Sequence, residues 1–136
     1  MYKHILVPVS FDDDRNVAAS VAVAVKLLKE GGKITMIHVM DQLPAYAINY
    51  VPDGFHEKAR VAIVQSLEDL ARDADANVEG VVVEGHSGRT IVDWADAHDV
   101  NLIVIASHRP GMQDYLLGST AARVVRHARC AVHVVR

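Results

Sequence analysis

Five stretches of the chain are continuously or nearly continuously apolar: residues 2–9 (YKHILVPV), 33–39 (KITMIHV), 78–84 (VEGVVVE), 101–106 (NLIVIA) and 131–135 (AVHVV). Each has the length of a strand, and uninterrupted apolar runs of this kind belong to strands covered on both faces. The segments between them repeat at helical spacing. Val17, Val21, Val25 and Leu28 lie four, four and three apart, and Gly31-Gly32 predicts the stop of that first helix. Asp12, Asp13 and Asp14 suit its cap and first turn. A second helix is predicted over 56–75, with Ala59, Ile63, Leu67, Leu70 and Ala74 on one face. A third carries Ile91, Trp94 and Ala95, with Ser87 as its expected cap, and a fourth runs over 118–127. Residues 41–55, with Pro44, Pro52 and Gly54, read as a loop, and so do 107–117.

The resulting order is βαβαβαβαβ. It predicts one α/β domain over 1–136: a doubly wound, mainly parallel five-stranded sheet with four helices. The 101–106 run, the most uniformly apolar, is expected at the centre of the sheet. Ligands on such sheets bind beyond the strand C-termini, which confines any site to residues 8–14, 39–43, 85–88 and 107–120.

Composition adds an aliphatic character: 22 valines and 18 alanines against 7 aromatics in 136 residues. The formal charge of −3 gives no broad basic face for nucleic acid. The basic cluster Arg123, Arg126, His127 and Arg129 falls where it complements the C-terminal dipole of the fourth helix. The single cysteine, Cys130, rules out an internal disulfide, fits a reducing compartment and reads as a small buried hydrophobe. The opening residues lack a signal-peptide layout, and no apolar run reaches about 18 residues, so a cytoplasmic, membrane-free protein is expected. The eight histidines are scattered without ligand spacing, and no metal site is predicted from them.

The candidate chemistry lies near the end of the chain. Ala106-Ser107-His108-Arg109 closes the fourth strand, and eight residues later Gly118-Ser119-Thr120 opens the last helix. A helix start offers unpaired N–H groups and a positive dipole end to an anion. The guanidinium of Arg109 can grip phosphate oxygens bidentately. An ordinary capped helix after an ordinary loop explains the spacing equally well. Tyr46 and Tyr50 in the 41–55 loop could form a lid over a base or have no role.

This ending resembles the universal stress protein family, in particular its F/G-type bacterial branch. The residues concerned are Ile105-Ala106-Ser107-His108-Arg109-Pro110, Tyr115-Leu116-Leu117-Gly118-Ser119 and Val124-Val125-Arg126-His127-Ala128. The opening Ile5-Leu6-Val7-Pro8-Val9, His38-Val39 and Val83-Glu84-Gly85 resemble the ends of the family's first three strands. The resemblance implies ATP, ADP or AMP binding with Mg²⁺. Pro8, Val9, Ser10 and Val39 would lie at adenine and ribose, and Ala106, Ser107, His108, Arg109, Gly118, Ser119 and Thr120 at the phosphates. It also implies a flavodoxin-like or Rossmann-like domain, a homodimer through the last strand and a role in stress response. Two departures stand out. Ala106 and Arg109 occupy positions usually held by glycines, with eight rather than nine residues before Gly118, and Ser10 stands where an aspartate is common. No residue is placed as a base for an attacking water, so no catalytic residue is assigned and at most slow ATP hydrolysis is expected. The alternatives are a nucleotide-free dimeric interaction module and a slow ATPase.

Overall fold

The computed structural model describes residues 1–11, 14–42, 44–107 and 117–136, with backbone alone at 14–16. The strands are β1 (Tyr2–Pro8), β2 (Leu28–Met40), β3 (Val78–Glu84), β4 (Leu102–Ala106) and β5 (Ala131–Val135). The helices are α1 (Asp14–Leu27), α2 (Phe55–Asp73), α3 (Ser87–Ala97) and α4 (Ser119–His127), and a 3-10 helix spans Ala45–Tyr50. All strand pairs are parallel, in the order β3-β2-β1-β4-β5. The doubly wound α/β sheet is therefore as expected, but its middle strand is β1. β4, though almost wholly buried, stands one place away. Burial on both faces makes a run apolar, and every interior strand of a covered sheet has that burial.

Side-chain alternation divides the core in two. Ile5, Val7, Ile34, Met36, Leu102 and Val104 face Val17 and Ala24 of α1 and Leu67 of α2. Leu6, Ile37, Ile103 and Ile105 face Ile91, Val92 and Ala95 of α3 and Ala121 and Val124 of α4. Two helices per face follow from right-handed crossovers on either side of β1. The buried stripe of α1 is Val17, Ser20 and Ala24; Val21 and Val25 are only half-buried. Tight helix–sheet contact selects the small side chains.

One boundary moves. β2 begins at Leu28, so Leu28 and the Gly31-Gly32 pair belong to the strand and do not terminate the helix. The β1–β2 register jumps from Tyr2↔Leu28 to His4↔Lys33, which leaves a bulge on β2. Gly31 has φ 80°, and a Cβ on Gly32 would lie 2.7 Å from the Lys3 carbonyl oxygen. The pair is there so that β2 can bend against β1.

The same end of the sheet holds a polar knot around the buried His4 and Thr35. Asn101 Oδ1 accepts hydrogen bonds from the backbone N–H of Lys3 (3.2 Å) and His4 (2.9 Å). His4 Nδ1 donates to the His98 carbonyl at 3.1 Å, and Nε2 lies 2.9 Å from the Thr35 hydroxyl oxygen. Trp94 meets His4 edge-on and stacks on His98 at 3.7 Å. Burial pushes the His4 pKa below its usual 6.5, helped by Lys33 and His98; the His98 carbonyl and Glu79 oppose the shift. The unfolded chain therefore binds a proton that the folded chain refuses. Stability should rise with pH through the interval below about 6.5 and level off above it. Urea midpoints at pH 5 and pH 7.5 test this: the drop at pH 5 should shrink in His4→Gln, and an equal drop in both proteins would exclude His4 as its source.

Candidate functional site

The two halves of the fold part at the C-terminal ends of β1 and β4. Their ladder is short, Ile5↔Leu102 and Leu6↔Ile103. β1 stays paired with β2 as far as Pro8↔Ile37, and β4 with β5 as far as Ala106↔Val135. Beyond Leu6 the chain after β1 is drawn toward β2 and the chain after β4 toward β5. This is the switch point of the sheet, where the connections leave for opposite faces and a crevice opens.

On the β1 side, half-buried Pro8 leads into buried Val9, whose N–H donates to the Ile37 carbonyl at 2.8 Å, and then into exposed Ser10. The Val9 carbonyl accepts from His38 Nδ1 at 2.8 Å. These two bonds bind the chain after β1 to the end of β2, beside Val39. A cavity of about 610 Å³ adjoins them, lined by Ser10, Phe11, His38 and Val39 to Asp41, with Ala62, Ile63 and Ser66 of α2 across from them. Of the residues expected near a base, Ser10 and Val39 line this cavity.

On the β4 side, Ala106 is half-buried and Ser107 buried. The Ser107 N–H donates to the Val135 carbonyl at 2.8 Å, and its own carbonyl accepts from the Gly118 N–H at 2.6 Å. That last bond closes the loop back onto the strand end and starts α4 there. Gly118 is the N-cap residue, and among the described residues no side chain caps the helix. Ser119 is exposed and Thr120 half-buried. An uncapped N-terminus leaves backbone N–H groups for an external acceptor. His108 and Arg109 lie outside the described residues.

Ser87 departs from its expected role. It is the first residue of α3 and not its cap, which is His86. Its hydroxyl lies 3.0 Å from that of Thr120 and ties the starts of α3 and α4 together. The α3 start is further held to α4 by the Arg123 side chain packing over Gly88.

Tyr46 and Tyr50, considered as a lid, lie in the 3-10 helix, 79% and 87% exposed, and line no part of the cavity. Sequence reasoning missed Phe11, His38 and Asp41 as cavity residues. Phe11 packs on the His38 ring, centroids 5.1 Å apart. An aromatic directly after a strand end was the available signal. Cys130 is half-buried, and burial raises its thiol pKa, which agrees with a packing role. Among the described residues no group of three or more acidic, histidine or cysteine side chains could hold a metal ion. No helix among them is long and apolar enough to cross a membrane.

A model of the universal stress protein family matches residues 1–136. The chain belongs to this family. A Staphylococcus aureus (strain USA300) protein named for it is 27% identical, covering 99% of this chain and 84% of the relative. The universal stress protein UspA of Lactobacillus plantarum has the same fold, with a TM-score of 0.74, 26% identity and coverage of 99% and 98%. An Archaeoglobus fulgidus universal stress protein in complex with dAMP superposes with a TM-score of 0.70 at 21% identity, covering 99% and 98%. A family structure in complex with cAMP (TM-score 0.68, 22% identity, coverage 99% and 97%) and an Arabidopsis thaliana member with AMP bound (0.64, 15%, 98% and 90%) share the fold.

Proposed function

We propose that this universal stress protein binds an adenine nucleotide in the β1/β4 crevice, with ATP as its ligand in a stress response. The observation that carries this reading is the early end of the β1–β4 ladder beside an uncapped α4, whose Gly118 is bound to the end of β4. Anions are stabilised at such a helix start by free N–H groups and the dipole. The adenine nucleotides held by family members of this fold support the same reading. Base and ribose would lie by Pro8, Val9, Ser10 and Val39. The phosphates would lie by Ala106, Ser107, His108, Arg109, Gly118, Ser119 and Thr120.

Mg²⁺ would accompany ATP. Hydroxyl oxygens of Ser10 and Ser119 are hard donors that fit such an ion, which takes most of its ligands from phosphate and water. It would neutralise phosphate charge. Thr120, held by Ser87, would present its hydroxyl in a set direction. Occupancy then acts as a signal by favouring the conformation in which the two loops are bridged. Turnover would be slow at most. We place the protein in the cytoplasm and assign β5, the edge strand next to β4, as its homodimer contact, since an unpaired edge invites a second strand.

Heating the purified protein and analysing the filtrate should release adenine nucleotide. Added ATP at about a hundred times its Kd should stabilise the fold by about 2.7 kcal/mol. A filtrate without nucleotide, together with an unmoved melting temperature, would favour the dimeric module that binds none. Ala106 and Arg109, in place of glycines, are the residues that speak for that second reading.

A further inference from the structure

We infer that His38 selects the base: it is an acceptor-only contact that favours a 6-amino purine over a 6-oxo purine. This deepens the adenine-nucleotide reading and rests on it. In the sequence His38 reads only as part of the end of the second strand, but it lines the cavity beside the strand ends. Its Nδ1 lies 2.8 Å from the Val9 carbonyl oxygen. A carbonyl can only accept, so Nδ1 carries the hydrogen and the neutral ring keeps a bare lone pair on Nε2. Among the described residues Nε2 has no partner. Phe11 packs against the ring in a tilted arrangement, the two planes 49° apart.

The rest of the cavity has matching polarity. Asp41 contributes a carboxylate acceptor, Ser10 and Ser66 contribute hydroxyls, and Phe11, Met40 and Ile63 contribute apolar surface. Among the described residues no lysine or arginine lines it. A volume of about 610 Å³ is in the range of small-molecule pockets and exceeds what a nucleoside requires. A planar ring bearing an amino group would find acceptors for its hydrogens. A ring with a carbonyl at the same position would set lone pair against lone pair. The choice falls on the base and leaves the phosphates to the β4 side.

The test uses the full chain and two probes, AMP and inosine monophosphate, which differ in the group at ring position 6 and in the hydrogen that the 6-oxo ring carries on N1. Calorimetric Kd values should favour AMP by about tenfold, the worth of one hydrogen bond. In His38→Asn the side-chain amide can still donate to the Val9 carbonyl, while its oxygen falls short of the position of Nε2. AMP should then weaken to the level of inosine monophosphate, with the latter's Kd unchanged. A loss that merely reflected loosening of the Val9 segment would weaken both ligands alike. Equal Kd values for the two in the unaltered protein, or an unchanged ratio in His38→Asn, would overturn the role of His38 while leaving nucleotide binding standing. Failure of AMP and ATP to bind at all would overturn both.

Discussion

Leu67→Ala should lower the stability of the protein by about 2–5 kcal/mol, the usual range for emptying a leucine site in a packed core. α2 is 19 residues long, yet Leu67 is its only buried residue, 1% exposed. The helix packs chiefly on β3, an edge strand, and meets it at Gly80. A Cβ on Gly80 would lie 2.6 Å from the Leu67 Cβ, a distance no real pair adopts. The missing side chain thus provides the space that Leu67 fills. Gly80→Ala should accordingly destabilise by about 1–3 kcal/mol through overpacking. Unfolding in denaturant, followed by circular dichroism, measures both. A loss below about 1 kcal/mol for Leu67→Ala would show that the half-buried Ile63, Val64 and Leu70 hold the helix without it. The same helix carries Ala62, Ile63 and Ser66 of the cavity wall, so nucleotide affinity should fall along with stability.

Arg109→Ala should weaken ATP binding by about 10–100-fold while changing AMP affinity far less. A guanidinium bonding phosphate through charged hydrogen bonds is worth about 1.5–3 kcal/mol. In the family's usual phosphate loop a glycine lets backbone approach the phosphates. Here Arg109 stands at that position, and charge would substitute for close contact. The α4 start would still hold the nearest phosphate, which is why AMP should be spared. Kd values for ATP and AMP on both proteins decide the matter. An equal, small effect on both ligands would mean that the helix N–H groups suffice and that Arg109 faces solvent.

Much of the architecture was open to reading from residues alone. Apolar runs of strand length alternating with helical stripes lead to a parallel sheet because covering both faces of a strand demands such runs. Gly118-Ser119-Thr120 announced the last helix to within one residue. The misreadings share one cause. Gly31-Gly32 resembles a helix stop, but the glycines answer to the Lys3 carbonyl of a neighbouring strand. Ser87 resembles a cap, but its hydroxyl faces Thr120, 33 residues further along. His4 and Asn101 carry no local sign that they meet across 97 residues. His38 reads as a strand residue until the Val9 carbonyl is found on its Nδ1.

The sequence by itself determined the element order and the sheet type, since these depend on periodicity and on the local chemistry of helix starts. The tertiary structure alone decided that β1 lies in the middle and that its ladder with β4 ends at Leu6. It also decided which of the two nitrogens of His38 is left bare. The physical reason is that strand order, ladder length and tautomer are set by hydrogen bonds between residues far apart in the chain, which local pattern does not encode.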